Sequence, residues 1–229
     1  MIVWLASYYK SGNTLVRSML SSYFFSKDGI YDFNQIKNIQ QFPNVELFQK
    51  FGLDVSNEDE LLKNYIKVQE KINNKSSLQF FKTHSALFNI NNNAFTNLNN
   101  SLGVIYIVRD PRNVVTSWAH HNSLSIKDSC DYMIFQKESS GNINKIFHGT
   151  WNNNFQSWKS FKHQDRYLLI RYEDLISDKK KVFLKILKFI QKFQKKKTAL
   201  DMLKIDNILK TTTFEKMKRL EAQKGFFEA

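Results

Sequence analysis

The chain has 229 residues, 42% of them hydrophobic and 14% aromatic, enough to fill a core and unlike a disordered or fibrous composition. A single cysteine, Cys130, excludes an intramolecular disulfide framework and a cysteine-rich zinc site. The balance of 34 Lys+Arg against 21 Asp+Glu gives a formal net charge of +13, which favours anionic partners without naming one.

In chain order, residues 2–7 form a short apolar run closed by a loop, which predicts a buried strand. The run is too short for a secretion signal, and no apolar stretch approaches the ~20 residues of a membrane span. The expectation is a cytoplasmic protein without a membrane partner. Residues 14–25 have helical spacing at Leu15, Met19, Leu20 and Phe24. A second helical stretch covers 61–72, and a strand follows at 78–82. The asparagine-rich segment 89–100 reads as a loop. Residues 103–108 give the strongest strand signal, after which Pro111 opens a helix over 112–120 at a position that tolerates proline. Trp151 and Trp158 are seven apart, a core-facing helical spacing, and Cys130 reads as a small buried side chain. Residues 167–171 form another buried strand. Residues 179–193 form an amphipathic helix with Val182, Phe183, Ile186, Leu187 and Ile190 inward and Lys181, Lys185, Lys188 and Lys192 outward.

Strands alternating with helices predict an α/β fold: a single domain with a central, mainly parallel sheet flanked by helices. Ligands in such sheets bind where strands end and loops lead into helices. Three places qualify: residues 8–14, 109–113 and 172–174. No internal repeat, linker or composition break marks a second domain.

The first place reads Ser7-Tyr8-Tyr9-Lys10-Ser11-Gly12-Asn13-Thr14-Leu15, a strand, a turn and a helix start. Helix N-terminal N–H groups favour a phosphate, Lys10 adds a full charge, and Ser11 and Thr14 supply hydroxyls. Gly12 admits a ligand close to the backbone. The segment is not the G-x-x-x-x-G-K-[ST] nucleotide loop, and an N-capped helix with a surface lysine would read the same way. In the second place, Arg109 leaves a strand end and Ser117 follows about two helical turns later, at ~3.6 residues per turn. A guanidinium and a hydroxyl there can grip a second phosphate. The alternatives are an ion pair of Arg109 with Asp110 or Asp174, and a helix-surface hydroxyl at Ser117. Between these segments lies Phe80-Phe81-Lys82-Thr83-His84, a strand ending in a histidine, where a general base is at home.

Together these segments resemble the cytosolic-type, 3′-phosphoadenosine 5′-phosphosulfate (PAPS)-dependent sulfotransferases, closest to the bacterial members. Residues 4–14 resemble the family's 5′-phosphosulfate loop, with Tyr9 where proline is usual. Lys82-Thr83-His84 resembles its Lys-Thr-His, whose histidine is the catalytic base. Residues 106–117 resemble its 3′-phosphate segment, with Arg109 and Ser117 at the family spacing. Arg171-Tyr172-Glu173-Asp174-Leu175 resembles its Tyr-Glu-Asp element, whose tyrosine lies near the nucleotide. Thr212-Thr213-Phe214 resembles the segment that packs on the adenine, and Leu15 stands where many members carry a tryptophan against that base.

The resemblance implies a sulfotransferase fold related to the P-loop NTPases, PAPS as co-substrate and no metal. It implies His84 and Lys10 as catalytic residues. Lys10, Ser11, Gly12, Asn13, Thr14, Leu15, Arg109, Ser117, Tyr172, Thr212 and Phe214 would hold the nucleotide. The acceptor would be a small molecule or glycan, set by residues 28–53 and 123–149, with His120 and His121 as packing or lining residues. The family's Phe-Arg-x-Gly-x-x-Gly-x-Trp segment, which closes over the 3′-phosphate, is missing, since Lys224-Gly225 comes too early. A catalytically impaired relative that still binds the nucleotide therefore remains an alternative. So do a metal-dependent nucleotide kinase on a similar sheet and a basic nucleic-acid-binding protein. The lysines at 179–181, 185, 188, 192 and 195–197 are the feature behind the last, although they read more simply as a solvated helix face.

Overall fold

The computed structural model describes residues 1–73, 78–135, 146–194 and 198–224. In chain order the elements are β1 (Ile2–Ser7), α1 (Asn13–Phe25), β2 (Gln40–Gln41), α2 (Val45–Lys50), α3 (Glu58–Asn73) and β3 (Gln79–Thr83). Next come β4 (Asn89–Ile90), β5 (Asn93–Ala94), β6 (Ser101–Val108), α4 (Pro111–Asn122), α5 (Ile126–Phe135), α6 (Trp151–Trp158) and β7 (Tyr167–Arg171). The chain closes with α7 (Tyr172–Ser177), α8 (Lys179–Gln191), α9 (Met202–Thr211) and α10 (Phe214–Lys224).

These elements gather into two compact units that are not consecutive in sequence. One comprises Met1–Asn13 and Gln41–Glu173, the other Thr14–Gln40 and Asp174–Ala229. Because each unit is assembled from separate stretches, no linker or shift in composition announces either.

The first unit is built on a sheet of order β2-β3-β1-β6-β7, in which β1 pairs parallel with β3 and β6, and β6 pairs parallel with β7. All six residues of β1 are buried, so this central strand shows a continuous apolar run rather than alternation. Register brings the strand ends level: Ala6 lies opposite Thr83, Ser7 opposite Ile107, and Val108 opposite Arg171. On one face Trp4 anchors the core, with ring centroids 5.2 Å from Phe95, 5.6 Å from Phe42 and 6.3 Å from Trp158. Its indole nitrogen donates to Ser101 Oγ at 2.8 Å, and that of Trp158 to the Ser85 carbonyl at 3.0 Å, so neither buried donor is orphaned. Trp158 is core as expected, whereas Trp151 is half-buried and stacks on Phe155.

The second unit packs an apolar stripe of α8, with Val182, Phe183, Ile186, Leu187 and Ile190 all buried. Lys181, Lys185, Lys188 and Lys192 are exposed, the predicted solvated face. Asp178 caps α8 by accepting from the Lys181 N–H. Lys179 does different work from its neighbours: its ammonium donates at 3.0 Å to the carbonyls of Leu209 and Thr212, satisfying the C-terminal end of α9. Arg17, 1% exposed, donates from Nε to the Ile39 carbonyl at 2.6 Å.

Several expectations need correction. Residues 89–100 are not a plain loop: β4 and β5 pair antiparallel, Asn89 with Ala94 and Ile90 with Asn93. Asn91 and Asn92 turn this hairpin with φ of 49° and 62°, a left-handed conformation that asparagine tolerates. Cys130 is half-buried rather than core. The stretches 28–53 and 123–149 contain the helices α2 and α5. Lys195–Lys197 of the basic run and Gly225 lie outside the described residues, as do 136–145. Among the described residues, no helix is long and apolar enough to cross a membrane.

Candidate active site

Three loops and the start of α7 leave the sheet of the first unit at one end. His84, Arg109 and Tyr172 are each the first residue after β3, β6 and β7, and Tyr8-Tyr9-Lys10 follows β1. The level strand ends therefore bring together residues far apart in sequence.

The loop after β1 is shaped for close approach. Lys10 and Gly12 both have positive φ, 58° and 92°. Left-handed turns of this kind point successive backbone N–H groups into a concavity that suits an anion. Asn13, 4% exposed, fixes the turn: its Nδ2 donates to the Leu5 carbonyl at 3.0 Å and to Ser7 Oγ at 3.2 Å. Its side chain thus ties the loop to β1, a structural role beside the nucleotide contact expected of it. Ser11 is buried, its hydroxyl donating to the Tyr9 carbonyl at 3.3 Å. Thr14 and Leu15 follow directly in the first turn of α1, half-buried, and that turn carries no acidic residue to offset the helix N-terminus.

Arg109 closes the loop from the neighbouring strand. Its Nη1 donates to the Lys10 carbonyl at 2.9 Å, and its guanidinium lies 4.4 Å from the centre of the Tyr172 ring. Arg109 Nε is buried with no hydrogen-bond partner, a donor in need of an acceptor. Asp110 turns away from it: its carboxylate caps α4 by accepting from the Arg112 N–H at 2.9 Å and pairs with the Arg112 guanidinium. Hydrogen bonds from Arg112 hold that carboxyl at about 2, below the usual range. The ion-pair reading of Arg109 with Asp110 therefore gives way, because Arg112 takes the carboxylate. Ser117 stands half-buried in the second turn of α4. The start of α7 is anchored by Glu173, whose Oε1 accepts from the Asp110 N–H at 2.9 Å.

His84 is oriented by its own strand neighbours. Nδ1 lies 3.0 Å from the Ser7 carbonyl, which can only accept, and 3.3 Å from Ser7 Oγ, which can donate or accept; a proton on Nδ1 suits both, and Nε2 is then the basic nitrogen of the neutral ring. The backbone is held too. Asn154, fully buried, donates to the carbonyls of His84 and His148, each at 2.8 Å, and accepts from the Tyr106 hydroxyl at 2.7 Å. Replacing Asn154 by alanine leaves these groups unpaired and should cost about 2 kcal/mol of stability in urea unfolding.

Sequence reasoning missed the surroundings of His84. Its ring lies 4.6 Å from that of Tyr9, which in turn lies 4.9 Å from Trp118, and Trp118 stacks on Tyr132 at 5.2 Å. Behind them His148, 0% exposed, receives the Tyr132 hydroxyl on Nε2 and donates from Nδ1 to the Gly149 carbonyl, both at 2.6 Å. Burial lowers the pKa of His148 and pushes the Tyr132 hydroxyl up to about 12, so both are neutral near pH 7.

The unfolded His148 ring, with pKa near 6.5, binds a proton that the folded ring refuses, so this contribution to stability is complete above about pH 6.5 and declines as pH falls toward the lowered folded value. Thermal unfolding between pH 8 and pH 5 should show that decline, at most about 1.4 kcal/mol per pH unit for one proton. His148→Phe should flatten it.

The remaining expected residues belong to the second unit. Thr212 is buried, its hydroxyl donating to the Ile208 carbonyl at 2.7 Å, and Phe214 is 76% exposed at the start of α10. Among the described residues, no three His, Cys, Asp or Glu side chains converge as a metal site. His120 and His121 are exposed on the last turn of α4.

A profile described as "Sulfotransferase domain" matches residues 2–226. Sulfotransferase 2A6 of Mus musculus is 30% identical over 119 residues, 50% of this chain and 38% of the relative. Luciferin sulfotransferase of Photinus pyralis is 31% identical over 147 residues, 63% of this chain and 36% of the relative. The matched stretches thus span less than half the length of these relatives. In shape, the chain resembles mouse sulfotransferase SULT7A1 complexed with PAP, with a TM-score of 0.60 and 20% identity, over 95% of this chain and 65% of that one.

Proposed function

The chain belongs to the sulfotransferase domain family, and we propose that it moves a sulfuryl group from PAPS to the hydroxyl or amine of a small-molecule or glycan acceptor. The observation that carries this reading is the joining of two anion grips at one sheet edge. Arg109, with its unpartnered Nε, is hydrogen-bonded to the Lys10 loop at the level of His84. A 3′,5′-bisphosphate presents two anions, and each grip suits one of them. The SULT7A1 structure holds PAP, which supports the same ligand class here.

In this reading PAPS supplies the activated sulfuryl group. His84 Nε2 takes the acceptor proton as the acceptor's oxygen or nitrogen bonds to sulfur, and the bond from sulfur to the 5′-phosphate oxygen breaks. Lys10 and the N-terminal turn of α1 offset the charge that grows on that leaving oxygen. Ser11, Gly12, Asn13 and Thr14 frame the 5′ end, Arg109 and Ser117 the 3′-phosphate. Tyr172 serves the adenosine. The work is positioning and charge stabilisation, as in phosphoryl transfer. We place the protein in the cytoplasm, and its kinship with bacterial members rests on the motif order alone.

Donor choice tests the reading against a kinase. With excess EDTA, transfer from PAPS should persist and ATP should donate nothing. An absolute Mg²⁺ requirement with ATP as donor overturns it.

A further inference from the structure

Tyr172 has more to do than line a nucleotide. A Cβ built on Gly12 would lie 2.5 Å from Tyr172 Cδ2 and 2.8 Å from Cε2, so the ring packs directly on the turn after β1. The same ring lies 4.4 Å from the Arg109 guanidinium carbon, and Arg109 Nη1 holds the Lys10 carbonyl at 2.9 Å. Lys10 is a non-glycine residue with φ of 58°, a conformation that persists only where its surroundings hold it.

We propose that Tyr172 and Arg109 form a brace that holds the Lys10–Gly12 turn in its anion-binding shape, with Tyr172 acting as a positioning residue. The inference rests on the nucleotide reading above and deepens it. The guanidinium has five N–H donors. One is committed to the Lys10 carbonyl, and the buried Nε is unpartnered, so a single side chain shapes one anion grip while serving the other. The two ends of the nucleotide site are thereby coupled. Gly12 is required by the ring as much as by its own φ of 92°, since any side chain there would displace Tyr172.

A contact-only role and a brace predict different results with AMP, which has no 3′-phosphate. If Arg109 only touches the ligand's 3′ end, AMP affinity is indifferent to Arg109→Met. If it braces the loop, Arg109→Met should weaken AMP about tenfold by calorimetry. Amide hydrogen exchange without ligand gives a second reading: exchange at Ser11 and Gly12 should quicken about tenfold in Tyr172→Leu and stay at the wild-type rate in Tyr172→Phe. Unchanged exchange in Tyr172→Leu or unchanged AMP affinity in Arg109→Met would overturn the brace. Faster exchange in a protein whose wild type binds neither AMP nor PAP would support the brace and sink the nucleotide reading. Should Tyr172→Leu not fold, Arg109→Met carries both measurements.

Discussion

Replacing His84 by alanine is expected to lower turnover by about 10²–10⁴-fold, the range for losing a general base. The reason lies in the tautomer: Nδ1 is directed at the Ser7 carbonyl, so Nε2 is the nitrogen able to take an acceptor proton. Affinity for adenosine 3′,5′-bisphosphate should barely change, because the ring's role is on the acceptor side. Lys10→Ala should behave differently, weakening donor binding and turnover together, since its charge meets the phosphosulfate both before and during transfer. Single-turnover rates and calorimetry on the two variants separate these patterns. A His84→Ala enzyme as fast as wild type removes the base from His84, whatever the fold.

The second large effect concerns the 3′-phosphate. Adenosine 3′,5′-bisphosphate should bind at least ~100-fold tighter than AMP, at ~1.4 kcal/mol per factor of ten. An unpartnered buried Arg109 Nε is the local cause, because a buried donor left without an acceptor is costly and an anion relieves it. Arg109→Ala should collapse the ratio between the two ligands, through a larger loss for the bisphosphate. Equal wild-type affinities would take the 3′-phosphate from Arg109 and Ser117.

Much of this architecture was legible in the sequence because the central strands β1 and β6 are buried on both faces. Residues 2–7 and 167–171 read as strands since their apolar runs are continuous and short, and they coincide with β1 and β7. The strand-end rule pointed to residues 8–14, 109–113 and 172–174 without tertiary information, and these stretches do follow the ends of β1, β6 and β7. The ring stack of His84, Tyr9, Trp118 and Tyr132 was not legible. Its members come from two loops and two helices and share no spacing, so only the fold makes them neighbours. Helix α5 escaped for another reason: Ile126, Ile134 and Phe135 are exposed, so its apolar residues do not sort onto one face. The hairpin of β4 and β5 has two-residue strands, too short for alternation to register.

The anonymity of Tyr172 in a sequence motif also hid its mechanical use. Tyr-Glu-Asp after a strand signals a loop near the nucleotide, but the pressure of its ring on Gly12 and the stacking of Arg109 are visible only in three dimensions. Likewise Asn13 reads as a helix-start residue, while its side chain secures the loop to the Leu5 carbonyl.

Sulfuryl transfer at the strand ends that carry Lys10, His84 and Arg109 is tested most directly with a radiolabelled donor. The wild-type chain, incubated in EDTA with PAPS carrying labelled sulfur and a panel of alcohols, phenols, amines and sugars, should move label onto at least one acceptor and release adenosine 3′,5′-bisphosphate in equal amount. His84→Ala should move label at least about a hundredfold more slowly. Tight binding of the bisphosphate with no labelled product from any acceptor would contradict the account and leave a nucleotide-binding relative without transferase activity.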